Sequence, residues 1–200
     1  MKDPIKILSK DTLRDLRIPP NQRITKKFPI MTYGETPSVR TEDWKLECFG
    51  DVASRLVITW QELLEMPRVE VVADFHCVTR WSRLNNVWEG VSLLELLNRI
   101  ELKSTVTHVT QHCYGGYTTN VSLDALKAED ALLAFRHDGR PLEPDHGGPV
   151  RMVLPKLYAW KSAKWVSGLE FLSSDRPGFW ERNGYHNQGD PWREERYSDG

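Results

Sequence analysis

The sequence predicts an α+β domain of short strands in mixed order with a few short helices. Three observations carry that expectation. Stretches of alternating or β-branched residues recur from Trp44 to Leu172. The helical signals between them are Ser/Thr capping boxes followed by only a turn or two. The regular βαβ alternation of a nucleotide-binding sheet is missing.

Two hundred residues make one domain, here 1–200, which at this size buries roughly 70% of its unfolded surface. With 40% hydrophobic and 28% charged residues the composition is that of an ordinary globular chain. A formal net charge of -1 lacks the basic excess of a nucleic-acid-binding protein, so any anion site must be a local cluster.

Residues 1–40 carry scattered charges with Pro19-Pro20, Pro29 and Pro37, and predict an irregular arm. The arm has no apolar run for a signal peptide or membrane span and no twin-arginine pair, so the expected location is cytoplasmic. Its apolar island, Phe28-Pro29-Ile30-Met31, should dock on a core. Trp44–Phe49 alternates as a half-buried strand does, and Leu56–Ile58 is a second. Thr59-Trp60-Gln61-Glu62 is a capping box that starts a helix stopped by Pro67. Val69–Cys77 is rich in β-branched residues and predicts a buried strand. Ser92-Leu93-Leu94-Glu95 caps a further helix to about Asn98. Val106–Tyr114 alternates, Ser122–Leu126 is a helical turn, and Ala131–Arg136 is a strand leading into an Asp138-Gly139 hairpin signal. Val150–Leu154 and Trp165–Leu172 complete the strands. The polar stretch 173–200 keeps Phe179, Trp180, Tyr185, Trp192 and Tyr197, more aromatics than disorder retains, and should be an ordered wrapping tail.

Three cysteines, at 48, 77 and 113, form no CxxC pair, which weakens both a disulfide framework and a structural zinc site. Zinc held by His76, Cys77, His112 and Cys113 is further disfavoured because adjacent strand residues point to opposite faces. Cys77 differs from the other two in leaving its strand into Val78-Thr79-Arg80-Trp81-Ser82-Arg83, where two arginines favour a thiolate. A second cluster, His146-Gly147-Gly148-Pro149-Val150-Arg151 followed by Lys161-Ser162-Ala163-Lys164, offers close backbone approach and several cationic donors. Taken separately, each cluster also suits a core cysteine or a solvated basic loop.

Together the segments resemble the sulfite oxidase-type molybdopterin family. Phe75–Ser82 is similar to its metal-ligand segment, closest to the branch of the bacterial methionine-sulfoxide reductase catalytic subunit, which shares Cys-Val followed by Trp-Ser. His146–Arg151 with Ser162-Ala163-Lys164 resembles the pterin-phosphate segment. Phe179-Trp180 through Tyr185-His186 resembles the tail that carries an active-site tyrosine. The whole pattern is similar to the small haem-free bacterial sulfite oxidase-like oxidoreductases.

The resemblance implies a single-domain molybdopterin-binding fold and a Mo-molybdopterin cofactor with Cys77 as metal ligand. It implies that His146, Arg151, Ser162, Ala163 and Lys164, with Lys161 in the same basic block, hold the pterin and its phosphate. Phe28, Met31, Thr32 and Tyr33 would touch the pterin from the arm, and either His112 or Cys113 would add a contact. Tyr185 would face the open side of the metal. The implied reaction is oxygen-atom transfer to or from a small oxo donor or acceptor, with an electron-transfer partner and no nucleic acid or membrane span. Sulfite oxidases follow their cysteine with Gly-Asn-Arg-Arg and carry a further arginine in the arm. Here Val78-Thr79-Arg80 and Met31 stand instead, and only Arg80 and Arg83 are left to supply positive field. That departure turns the expectation toward S- or N-oxide reduction, with sulfite-type oxidation as the alternative. A non-catalytic molybdopterin-binding or electron-transfer protein is the reading from another class.

Overall fold

The computed structural model describes residues 3–198. In chain order the strands are β1 (Ile5–Leu8), β2 (Arg23–Ile24), β3 (Lys45–Gly50), β4 (Leu56–Thr59), β5 (Arg68–His76) and β6 (Trp81–Ser92). They continue with β7 (His108–Cys113), β8 (Thr118–Ser122), β9 (Leu132–His137), β10 (Arg140–Pro141), β11 (Arg151–Val153) and β12 (Val166–Leu172). The helices are α1 (Trp60–Glu65), α2 (Leu93–Leu97), α3 (Leu123–Leu126) and α4 (Phe179–Arg182). The α+β class is therefore the observed one. Among the described residues no helix is long and apolar enough to cross a membrane.

The strands form two sheets. One runs β1-β5-β6-β9-β10, with β2 on β6 and β11 on β9; the other runs β4-β3-β12-β7-β8. Parallel pairs (β1/β5, β2/β6, β3/β12) mix with antiparallel ones, which makes this a mixed rather than a βαβ architecture.

Alternation places the core. In β3, Leu46 and Cys48 are buried while Lys45, Glu47 and Phe49 are not. In β9, Leu133 joins a core drawn from both sheets with Val91, Met152, Leu169 and Phe171. Its neighbour Leu132 joins a second core with Val71, Ala73, Phe75 and Trp88. Strand geometry sends neighbours to opposite faces, so β9 is buried on both over its first four residues, Leu132 to Phe135, which read as an apolar run before Arg136 and His137. Each such side chain contributes about 1.5–3 kcal/mol on burial.

Several local expectations need correction. The arm contains two parallel strands, because β1 lies in register with Val69–Val72 and β2 pairs with Trp81 and Ser82. The long strand β6 has no counterpart among the predicted elements. It is 12 residues long, pairs with β5 and β9, and bulges at Glu89/Gly90. Gly90 is required there, since a Cβ would fall 1.9 Å from the Leu133 carbonyl oxygen. The capping box on α1 is complete, with Thr59 Oγ1 accepting from Glu62 N and Glu62 accepting from Thr59 N. On α2 only Ser92 caps, accepting from Leu94 N, because Glu95 pairs with Arg99 instead.

Candidate active site

The hairpin between β5 and β6 carries Cys77. Cys77 N donates to Trp81 O (2.9 Å) and Arg80 N to Cys77 O (3.0 Å), with Arg80 in the left-handed region at φ 72°. Both ends of the chain hold this turn. From the arm, Gln22 Nε2 donates to Cys77 O (3.0 Å). From the tail, buried Arg196 donates to Val78 O (2.6 Å) and Pro20 O (3.1 Å). The Thr79 hydroxyl donates to Cys77 Sγ (3.2 Å). Burial pushes the Cys77 thiol up, with Thr79 and Arg196 opposing. The expectation that the adjacent arginines would depress it is overturned, because Arg80 lies exposed in solvent.

Cys77 opens into a pocket of about 350 Å³. One wall is cationic. Arg151 is buried on β11, its guanidinium donating to the carbonyls of His146 (2.9 Å) and Ser162 (3.0 Å) and lying 5.3 Å from the Phe75 ring. Among the described residues no carboxylate is within ion-pair distance of it, and burial pushes it down to about 9. Lys164 Nζ donates to Thr32 Oγ1 (2.7 Å) and Asp145 O (2.8 Å), and burial with the neighbouring Arg151 charge pushes it down to about 7. His146 stacks on Phe28 at 4.2 Å and is likewise lowered, by burial first and then by Arg151 and Lys164. Gly147 turns the wall at φ 103°, where a Cβ would lie 2.9 Å from Lys164 Cβ and 3.0 Å from Arg151 Cβ. Two cations held by carbonyl and hydroxyl oxygens, with no carboxylate of the described residues within ion-pair distance, form a candidate cradle for an anion.

The other wall is aromatic. Tyr185 stacks on Trp180 (4.8 Å) and meets Trp160 edge-on (5.1 Å), beside Trp81 and Tyr117. Burial raises Tyr185, so its hydroxyl keeps its proton at neutral pH. Tyr117 donates to Trp160 O (2.9 Å).

The structure brings together Phe28, Met31, Thr32, Tyr33, Cys77, His146, Arg151, Ser162, Ala163, Lys164 and Tyr185 around this one pocket. It does not bring the remaining candidates. Arg80 is exposed, and Arg83 is engaged by Asp138 (2.5 Å), His137 (3.1 Å) and Asn86. Lys161 is fully buried behind the pocket, paired with Glu181 (2.6 Å) and donating to Asn120 O (2.8 Å). His112 bonds Glu170 (2.9 Å) on the second sheet. Cys113 lies in the main core, where burial pushes its thiol up. The zinc alternative finds no cluster of three or more His, Cys, Asp or Glu among the described residues. Sequence reasoning passed over Tyr117 and the Arg196 clamp, and gave no role of their own to Thr79, Trp160 and Trp180. Arg196 sits in the charged run Arg193-Glu194-Glu195-Arg196, which reads as a solvated face.

Comparison with known proteins gives the family. The family described as an oxidoreductase molybdopterin binding domain matches residues 33–180, and the chain belongs to it. The chain is 44% identical over 183 residues to the uncharacterized oxidoreductase YuiH of Bacillus subtilis, covering 91% of this chain and 92% of that one. It is 28% identical over 170 residues to a putative protein-methionine-sulfoxide reductase subunit of Azospira oryzae, covering 84% of this chain and 64% of that one. Among solved structures, the sulfane dehydrogenase SoxCD of Paracoccus pantotrophus shares the fold. Its TM-score is 0.66 at 21% identity, over 78% of this chain and 46% of that one. The protein is thus an oxidoreductase with molybdopterin as its cofactor. Arg151 and Lys164, cations with no carboxylate of their own, fit the phosphate such a cofactor carries.

Proposed function

We propose that this enzyme reduces a small neutral S- or N-oxide, with molybdenum carried by the pterin and by the Cys77 thiolate. The observation that supports this reading best is the division of charge within one pocket. The unpaired cations, Arg151 and Lys164, stand on one wall, while Cys77 is surrounded by aromatic side chains and the cation behind its turn, Arg196, is already paired with Glu194 (3.1 Å). A sulfite dianion brought to Cys77 would be desolvated without a partner, at a cost of several kcal/mol; a neutral oxide would not. The Azospira oryzae relative, by its name a putative protein-methionine-sulfoxide reductase subunit, agrees in direction.

When bound, the cofactor supplies the redox change and the transfer of one oxygen atom. The chain's own residues bind, orient and exclude water. Arg151 and Lys164 hold the phosphate by charge-assisted hydrogen bonds. The stacked Phe28 and His146 give the pterin a flat neutral surface. Thr79 steadies the Cys77 sulfur. Tyr185, still protonated, can donate to a substrate oxygen, and Trp81, Trp160 and Trp180 keep bulk water away.

The test is protein purified from a molybdate-supplied, cofactor-making host. About one molybdenum per chain is expected, with dye-driven reduction of dimethyl or methionine sulfoxide. In that reaction the sulfoxide takes up two electrons and two protons, and its oxygen leaves as water to give the sulfide. Sulfite oxidation should be slow except at high sulfite. Stoichiometric zinc without molybdenum, or efficient turnover at low sulfite, would overturn the reading.

A further inference from the structure

Each reduction of an S- or N-oxide needs two electrons from outside the pocket, and the surface beside Cys77 has a composition that selects their source. Four cations cluster there: Arg23 on β2, Lys26 and Lys27 just after it, and Arg80 at the tip of the Cys77 turn. All four are exposed, and among the described residues none has a carboxylate within ion-pair distance. Glu194, whose charge Arg80 favours, is already held by Asn21 (2.7 Å) and Arg196 (3.1 Å). A chain of net charge -1 does not collect four free cations in one place through overall excess.

Apolar side chains share this surface. Ile24, between the cations, is 63% exposed, and Ile30, Met31 and Tyr33 are exposed where the arm reaches the pocket. An apolar centre with a charged rim is the usual make-up of a specific docking face. The face is also wired to the metal-ligand turn. Arg23 N donates to Arg80 O (2.9 Å), β2 pairs with Trp81 and Ser82, and the neighbouring Gln22 donates to Cys77 O (3.0 Å).

The geometry points to this face as the docking site for an acidic one-electron carrier protein. Complementary charge steers the encounter, and Ile24 with the arm residues supplies the apolar contact. The reduced carrier is oxidised twice per turnover, and the two protons come from solvent. The inference rests on the proposed direction of the reaction only in that electrons flow inward; the docking itself does not depend on the substrate.

The test uses a flavodoxin of net negative charge as probe, with two measurements that need no substrate. One is binding of the oxidised flavodoxin by calorimetry; the other is the stopped-flow rate at which reduced flavodoxin reduces the holoenzyme. Both are expected to weaken about tenfold or more as salt rises from roughly 0.02 to 0.3 M. The triple variant Arg23→Glu/Lys26→Glu/Lys27→Glu should lose them to the same extent while keeping its dye-driven turnover and its melting temperature. Binding that ignores salt, or a triple variant that still takes electrons from flavodoxin at the wild-type rate, overturns the proposal. So does co-sedimentation with phosphatidylserine vesicles without any flavodoxin binding, which would make this a membrane-facing surface. If no sulfoxide is reduced with dye but salt-dependent flavodoxin binding persists, the substrate reading fails and the docking face stands.

Discussion

Two lysines three residues apart, the fully buried Lys161 and the half-buried Lys164, obey opposite rules. Lys161 lies in a dry layer behind the pocket, where Glu181 sits 2.6 Å away and Asn120 takes a further hydrogen bond. Lys164, like Arg151 beside it, faces the pocket among hydroxyl and carbonyl oxygens and aromatic rings, with no carboxylate of the described residues within ion-pair distance. The first charge is complete within the fold; the second is complete only when an anion arrives. Compensation within the fold is what Lys161 has and Lys164 lacks, and the proposed binding role of Lys164 follows from that difference.

The sharpest way to test that division is to leave the cations alone and change the sulfur. If the cationic wall only holds the cofactor while Cys77 serves the metal, Cys77→Ser should keep much of the pterin yet lose turnover at least about a hundredfold. The metal's electronic spectrum should also change. Cys48, buried in the main core, is the control: Cys48→Ser should cost only about 1–3 kcal/mol of stability. A Cys77→Ser enzyme with wild-type spectrum and rate would sink the ligand assignment.

Next in size are substitutions on the two kinds of cation. Glu181→Ala strands Lys161 as an uncompensated buried charge and should destabilise by about 3–5 kcal/mol in chemical denaturation. Lys164→Met should leave the free protein as stable or more so, because it removes a half-buried charge with no carboxylate of the described residues within ion-pair distance. It should instead lower cofactor occupancy, since one charge-assisted contact is worth about 1.5–3 kcal/mol. If the two variants exchanged phenotypes, the comparison would be wrong.

The sequence carried much of the fold and the pocket, and the failures share a cause. The strands it revealed, such as β3 and β5, alternate or run apolar. β6 was hidden because its polar residues are satisfied by neighbouring strands: Asn86 donates to Ala73 O, and Glu89 pairs with Arg68 and Arg136. β1 was hidden because an exposed edge strand needs only one apolar residue, Ile7, facing the core. For the candidate site, motif order picked out Cys77, His146, Arg151 and Lys164, which line one pocket. What a linear reading lacked was partners. It grouped Lys161 with Lys164 because Glu181 is far along the chain, and it credited Arg80 and Arg83 to the cysteine because they are near in sequence. The arginine that does reach the Cys77 turn, Arg196, lies at the far end of the chain.

The unpaired state of Lys164 also predicts a pH dependence. In the free protein its charge is lost as pH rises through about 7, whereas the unfolded chain keeps it to about 10.5. Between those values the unfolded state binds more protons, so this group's contribution to stability rises with pH, and its penalty is greatest below 7. An anion in the cradle reverses the preference by favouring the charged lysine. Binding of sulfate, which does not itself titrate there, should therefore weaken above about pH 7 and take up close to one proton. Calorimetry at pH 8 in buffers of different ionisation heat reads that uptake. Lys164→Met should abolish it, whereas uptake that persists in the variant would put the proton on another group.

The smallest expected effect is the most discriminating for substrate choice. Arg80 and Arg83 are the cations that sequence alone would give to a sulfite-like anion. Arg80 is solvated, and Arg83 is already spent on Asp138, His137 and Asn86. Removing a half-exposed ion pair such as Arg83–Asp138 costs about 1 kcal/mol or less, and neither side chain lines the pocket. Arg80→Ala and Arg83→Gln should then leave kcat/KM for dimethyl sulfoxide with a dye donor within about twofold of wild type, a change of under half a kcal/mol in transition-state energy. Sulfite should respond just as little, since it gains nothing from either side chain to begin with. A tenfold rise in KM for sulfite in either variant, with sulfoxide unchanged, would mean that one of these arginines swings into the pocket when an anion is present. The neutral aromatic wall around Cys77 would then be a property of the free enzyme alone.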